Sequence, residues 1–330
     1  ANKTLTLPYL ALIAISVVPI FLFSALKSFS DGLQKTSVAM YITIAALIFN
    51  IIFNHIFING LGPIPAMGLF GAGIATLMAR ILMAIALAIY LFKIADFSKY
   101  LQKKQVHAEA NVLEKTILKI GIPSGMQGFF EIATFGMAVV MMGWISVTAQ
   151  AAHIVAINMA SLTYMMASGI AAAGGILVGA DIGERNRKGI FTSGNAALVL
   201  SILFMGFCAL VFFFGRDILV RGYTQEASVI AIAVTLVVWG AIFQLFDGIQ
   251  AVSLGLLRGL QDVNIPTGIT VFSYWGIGIP LSYYIGIYLG VGATGIWMGL
   301  TASLICSSVL LSWRFYARAK TNDFEELDVD

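Results

Sequence analysis

Charge is what this sequence has least of. Asp, Glu, Lys and Arg make up 11% of its 330 residues, against 59% that are hydrophobic. A soluble domain has too little interior to hide that much apolar surface, so the composition excludes one and predicts an integral membrane protein. The net charge of +3 is too small to call for a nucleic-acid partner. Cysteine is scarce too. Cys208 and Cys306 stand in apolar runs outside any C-x-x-C pair, which excludes a disulfide framework and a thiolate metal site. There is no G-x-x-x-x-G-K-[ST] loop to cradle ATP, no H-E-x-x-H and no nucleophile–base pair, so neither an enzyme nor a self-contained primary pump is expected. The opening residues, "ANKTLTLPYL", lack an initiator Met and the basic-then-apolar layout of a signal peptide, so the chain is expected to be processed or to continue upstream.

What the sequence does have is apolar length. Nine segments, at about 8–28, 38–59, 69–93, 117–142, 149–177, 189–214, 228–256, 268–289 and 293–316, can each cross a bilayer as a helix. The fold class expected is therefore all-α and multi-pass. One charged stretch, residues 93–119, divides the series. The expected organisation is a three-helix part at 1–95, a connector at 96–116, a six-helix bundle at 117–318 and an acidic tail at 319–330. Loops after the odd-numbered segments hold 15 of the 19 Lys and Arg residues, among them Lys99, Lys103 and Lys104. The other side has Lys3, Arg216 and Arg221, and Arg80 lies inside a segment. The positive-inside rule then puts the connector and the C-terminus in the cytoplasm, with the chain in the inner or plasma membrane.

A faint internal repeat runs through the chain. "SDGLQKTSVAMYIT" (30–43) resembles "LRGLQDVNIPTGIT" (257–270), and "GLFGAGIAT" (68–76) resembles "GVGATGIWM" (290–298). Segments one to three thus read as a copy of seven to nine. The expectation is a protein of two six-helix bundles whose first three helices are missing from this chain; convergent loop chemistry is the alternative.

Of the 16 acids, all but Glu131 and Asp247 fall in loops or the tail. A carboxylate at the centre of a membrane helix costs about 2.5–3.5 kcal/mol on insertion scales, so two of them point to a use: binding a cation, exchanging protons or facing a cationic ligand. A structural ion pair is the alternative, but no Lys or Arg lies centrally in any segment of this half. The fourth and seventh segments run in opposite directions and both acids fall within a ~30 Å hydrocarbon core, so the two can share one cavity. Phe129, Phe130, Phe135, Phe243 and Phe246 flank them. Such aromatics suit planar organic cations, or simply pack. Arg80, a lone base, either snorkels or pairs with an acid outside this chain. His55 and His153 read as packed or as titrating. Asn50 and Asn54, one turn apart, either offer amide oxygens to a cation or bond a neighbouring helix. Pro280 is expected to break or bend the eighth segment.

At these residues the chain resembles the MATE (multidrug and toxic compound extrusion) family, most of all its NorM-type branch. The resemblance rests on "AMYITIAALIFNIIFN", "GLFGAGIAT", "GIPSGMQGFFE", "AAHIVAINMASLTYM", "GILVGADIGERN", "FDGIQAVSLGLLRGLQD" and "SYWGIGIPLSYY", in family order over nearly the whole chain. It implies a twelve-helix, two-bundle transporter of which this chain holds helices four to twelve. It implies Glu131 and Asp247 as the acids for a coupling cation, with Na+ or H+ in that role, and for cationic drugs, and Phe135 as a drug-contacting aromatic. Phe246 and Gln250 complete the expected drug-contacting set. Asn50, Asn54 and Thr76 match a polar cluster that some relatives use for sodium or protons; the first-helix Asp that completes it is not in this sequence. Ile154 stands where NorM-type proteins commonly have Gln. The function implied is an ion-coupled antiporter, monomeric, without a cofactor, whose partners are small organic cations and membrane lipids. The rivals are a lipid-linked saccharide flippase of the same superfold and a non-transporting receptor or scaffold.

Overall fold

The computed structural model describes residues 2–61, 65–93 and 106–321, with side chains described from Thr6 onward and, past the connector, from Lys115. The expected connector up to residue 105, with Lys99, Lys103 and Lys104, the side chain of Lys3 and most of the acidic tail lie outside the described residues. Nearly all of what is described is helix, with no strand among the described residues. The chain divides into two compact units, residues 1–109 and 110–330.

The first unit holds α1 (Asn2–Ile15), α2 (Val17–Gly32), α3 (Thr36–Asn59) and α4 (Gly68–Lys93). α1 and α2 make one apolar span interrupted at Ser16. α4 packs against all three other helices. It comes close because Gly71 and Gly73 carry no side chain; a Cβ there would strike the Phe57 carbonyl of α3 and the Leu12 side chain of α1. The break at Ser16 is where Arg80 finds its partner. Arg80 Nη1 donates to Ser16 Oγ at 2.6 Å, and that hydroxyl donates in turn to the Ile13 carbonyl at 2.7 Å.

The second unit runs α5 (Val106–Ile145), α6 (Val147–Gly183), α7 (Arg187–Tyr223), α8 (Ala227–Gly259), a helical run over residues 264–288, and α11 (Ala293–Thr321). α8 is the hub, packed on α6, α7 and α11. Its Gly255 and Gly259 meet Ala171 and Gly175 of α6 backbone to backbone, a small-x-x-x-small crossing on both helices. Lipid tails are as apolar as Leu, so such close dispersion contact is what holds membrane helices together.

Eight of the nine expected spans are long apolar helical stretches, seven of them single helices and the first the α1–α2 pair. They outrun the expected limits because intrahelical hydrogen bonds continue past the apolar core until a cap ends them. Ser146 Oγ accepts from the Ala149 amide at the start of α6, and Asn186 Oδ1 from the Gly189 amide at the start of α7. The ninth span is wound differently: α9 (Asn264–Val271), a π-helical stretch Phe272–Gly278, α10 (Ile279–Tyr283) and a second π stretch Tyr284–Tyr288. Pro280 has no N–H for the Gly276 carbonyl, and the wider turns ahead of it absorb the lost bond without ending the helix.

The Gly-Leu-Gln repeat shows in the backbone. Gln34 and Gln261 share a left-handed φ of 58° and 57°, and both amides donate three residues back. Arg185, in a loop without that tripeptide, adopts the same turn at φ 55°.

Candidate functional site

Three helices of the second unit bring their polar residues to one place. On α5, Gln127, Glu131 and Phe135 follow at four-residue steps and so form one stripe. On α8, Phe243 and Asp247 are one turn apart, and Arg258 comes eleven residues later, three turns plus about 20°. The same helix face therefore carries all three. On α6, Ile157, Ala160, Ser161 and Tyr164 repeat at helical spacing. Between them lies a cavity of about 450 Å³ whose lining includes Glu131, Phe135, Ser161, Tyr164, Phe243, Asp247 and Arg258.

Asp247 is 5% exposed and Phe243 2%, while Glu131 is half-buried. The wall is aromatic. Phe135 stands edge-on to Phe243 and to Tyr274, with ring centroids 6.1 Å apart in each pair. Phe243 packs in turn on Trp297 at 5.3 Å, and Trp297 Nε1 donates to His153 Nδ1 at 3.1 Å. His153 is thereby a packed, hydrogen-bonded core residue. His55 is exposed, its Nδ1 3.3 Å from the Asn59 amide nitrogen one turn on.

Arg258 shares the cavity of the two acids and lies within electrostatic reach of Glu131, reaching it from the last turn of α8 and not from a central position. Its Nη2 donates to Gln127 Oε1 at 3.1 Å, and Gln127 Nε2 donates to Thr270 Oγ1 at 3.3 Å. The seventh apolar segment stops at about residue 256, which leaves Arg258 in a loop on paper. α8 continues through Gly259, and a long side chain in a last turn leans back toward the helix N-terminus, here into the cavity. Tyr164 was also missed, although it lies inside a quoted motif; only its neighbours across the bundle reveal it.

Not every expected drug contact lines the cavity. Phe246 is half-buried against the core around Phe243. Gln250 is 1% exposed and accepts from the Tyr274 hydroxyl at 2.9 Å, so it supports the aromatic wall from behind. Of the flanking aromatics, Phe129 is 66% exposed and Phe130 packs on Trp275. Ile154 is exposed and outside the lining.

In the first unit, Asn54 Nδ2 donates to Asn50 Oδ1 at 2.9 Å, leaving each amide with further hydrogen-bonding capacity. Thr76 is bonded within its own helix, to the Ala72 carbonyl at 2.9 Å. Among the described residues no group of three or more His, Cys, Asp or Glu side chains forms a metal cage.

A family model described as MatE matches residues 3–56 and 123–284. "Probable multidrug resistance protein NorM" of Mesorhizobium japonicum is 32% identical over 315 residues, 94% of this chain and 68% of that protein. This chain belongs to the MATE family. The protein of the same name from Bacillus subtilis is 32% identical over 306 residues, 93% of this chain and 68% of its own length. Among solved structures, a crystal structure of MATE in the straight conformation superposes with a TM-score of 0.83 at 18% identity, covering 97% of this chain and 70% of that one. The eukaryotic MATE transporter AtDTX14 gives 0.77 at 17% identity, covering 96% and 78%. The fold is thus the MATE fold, and the chain is a multi-pass membrane transporter of that family, not an enzyme.

Proposed function

We propose that this MATE protein is a multidrug exporter that exchanges a coupling ion, Na+ or H+, for cationic amphipathic drugs. The observation that carries the reading is the cavity itself: two membrane-embedded carboxylates, Glu131 and Asp247, opening on a space of about 450 Å³ walled by Phe135, Phe243 and Tyr164. A flat cation gains from the carboxylates by charge and from the ring faces by cation–π attraction. The names of the relatives, probable multidrug resistance proteins, support the same reading.

Ion and drug compete for the same acids. Two close carboxylates repel, and a bound cation of either kind relieves that repulsion. Entry of the ion then favours release of the drug. Alternation between outward and inward openings follows the pattern of repeat-built transporters. The distribution of Lys and Arg supports a cytoplasmic C-terminus. A lipid-diphosphate cargo would call for a basic cavity, and here a single Arg258 stands against two acids.

The test is uptake of a fluorescent organic cation into vesicles holding the full-length protein, under imposed sodium or proton gradients. Uptake driven by one of the two gradients is expected. Transport of anionic compounds with none of cations would refute the reading.

A further inference from the structure

Arg258 carries a charge opposite to that of the two acids it shares the cavity with. We propose that Arg258 is a tethered counter-cation that sets how much positive charge the cavity accepts, admitting one monovalent cation and disfavouring dications of the same ring system. This rests on the reading of the cavity as a cation site. With both carboxylates ionised, the lining holds two negative charges and one positive, a deficit that a single monovalent cation fills. Protonation of either acid lowers that capacity and never raises it. Asp247 is 5% exposed, Glu131 half-buried and Arg258 exposed at the end of α8, so an unmatched unit of charge is expensive around Asp247 and weighs on selectivity there.

The tether gives Arg258 two resting places. It is bonded to Gln127, whose amide is oriented by donating its own N–H to Thr270. Glu131 lies one turn further along the same face of α5, a rise of ~6 Å, within the swing of a long Arg side chain. The structure shows the guanidinium on the Gln127 oxygen; its other place, on the Glu131 carboxylate, would be a charge-assisted, bidentate pair that occupies that acid. Held on Gln127, Arg258 leaves the Glu131 carboxylate open to an arriving cation. Gln127 is thus a positioning residue: it stabilises the withdrawn guanidinium and so lowers the cost of loading.

Equilibrium binding of ethidium and propidium to full-length protein in detergent tests this. The two dyes share a ring system, and propidium adds a second fixed positive charge. The wild-type protein should prefer ethidium, R258K should keep that preference, and R258Q should shift the ratio toward propidium by about tenfold or more. Q127L should weaken ethidium binding several-fold, because the guanidinium loses its alternative to Glu131. An unchanged dye ratio in R258Q, or unchanged ethidium affinity in Q127L, overturns the role of Arg258; if R258Q does not fold, Q127L decides. E131Q separates the two levels. If it loses ethidium while R258Q keeps the wild-type ratio, only the role of Arg258 fails. If E131Q binds ethidium as the wild type does, the cation-site reading fails and the proposal with it.

Discussion

Adding one methyl group to Gly175 should loosen the crossing that holds α8 in place. The new Cβ would stand 2.6 Å from the Gly255 carbonyl oxygen and 3.2 Å from its carbon. Both are backbone atoms and cannot swing aside. Relief from 2.6 Å to an ordinary contact of 3.4 Å moves α6 and α8 apart by about 0.8 Å. A gap of that size forfeits a quarter to a half of each dispersion contact, so ~20 atom pairs at ~0.15 kcal/mol each lose ~0.8–1.5 kcal/mol. Taking the misfit up as strain instead costs about 1–3 kcal/mol. Alanine also favours a helix over glycine by up to ~1 kcal/mol, which complicates any single variant. Gly179, one turn on in the same helix, removes that complication: its Cβ would meet only the Gly259 oxygen, at 3.8 Å. The propensity gain is common to both positions and cancels in the difference. G175A should therefore be less stable than G179A by about 1–3 kcal/mol. Reversible unfolding of the full-length protein by titrating dodecyl sulfate into mixed micelles measures that difference directly. Equal stability of the two variants would refute the close crossing as the organising contact of this unit.

Glu131→Gln and Asp247→Asn should each abolish ion-driven drug uptake, and the double variant should be hardly worse than either, because the two acids serve one cavity; a single variant with most of its activity would contradict that. Trp297→Phe removes the donor to His153 and leaves a buried ring nitrogen unbonded, which should lower stability by about 1–3 kcal/mol in the same unfolding titration. Ser16→Ala deprives Arg80 of its acceptor at the α1–α2 break and should destabilise by a similar ~1–3 kcal/mol. Adding Arg80→Leu to Ser16→Ala should recover part of that loss, and strictly additive losses would show that the two side chains do not interact.

The spans and the two acids were legible because each is a local property. A run of about twenty apolar residues must become a membrane helix whatever surrounds it, and a carboxylate inside such a run stands out against its own neighbours. Helical spacing also puts Phe135 one turn from Glu131 and Phe243 one turn from Asp247. It could not say which stripe faces which. Gln250 sits one turn from the face of Asp247 in sequence, yet in the fold it points to Tyr274 behind the cavity wall. Arg258 looked like one more loop cation, because an apolar window ends where polar residues begin while the helix itself runs on. Tyr164 carried no signal of its own and became part of the site only where α6 meets α5 and α8. The same holds for glycine: a sequence rich in small residues announces close packing somewhere, but only the crossing geometry separates Gly175, pressed on the α8 backbone, from Gly179, which has room to spare. Length, polarity and period are written along one chain. Charge balance and contact depend on the distance between chain segments far apart in sequence, and those distances exist only once the helices have packed.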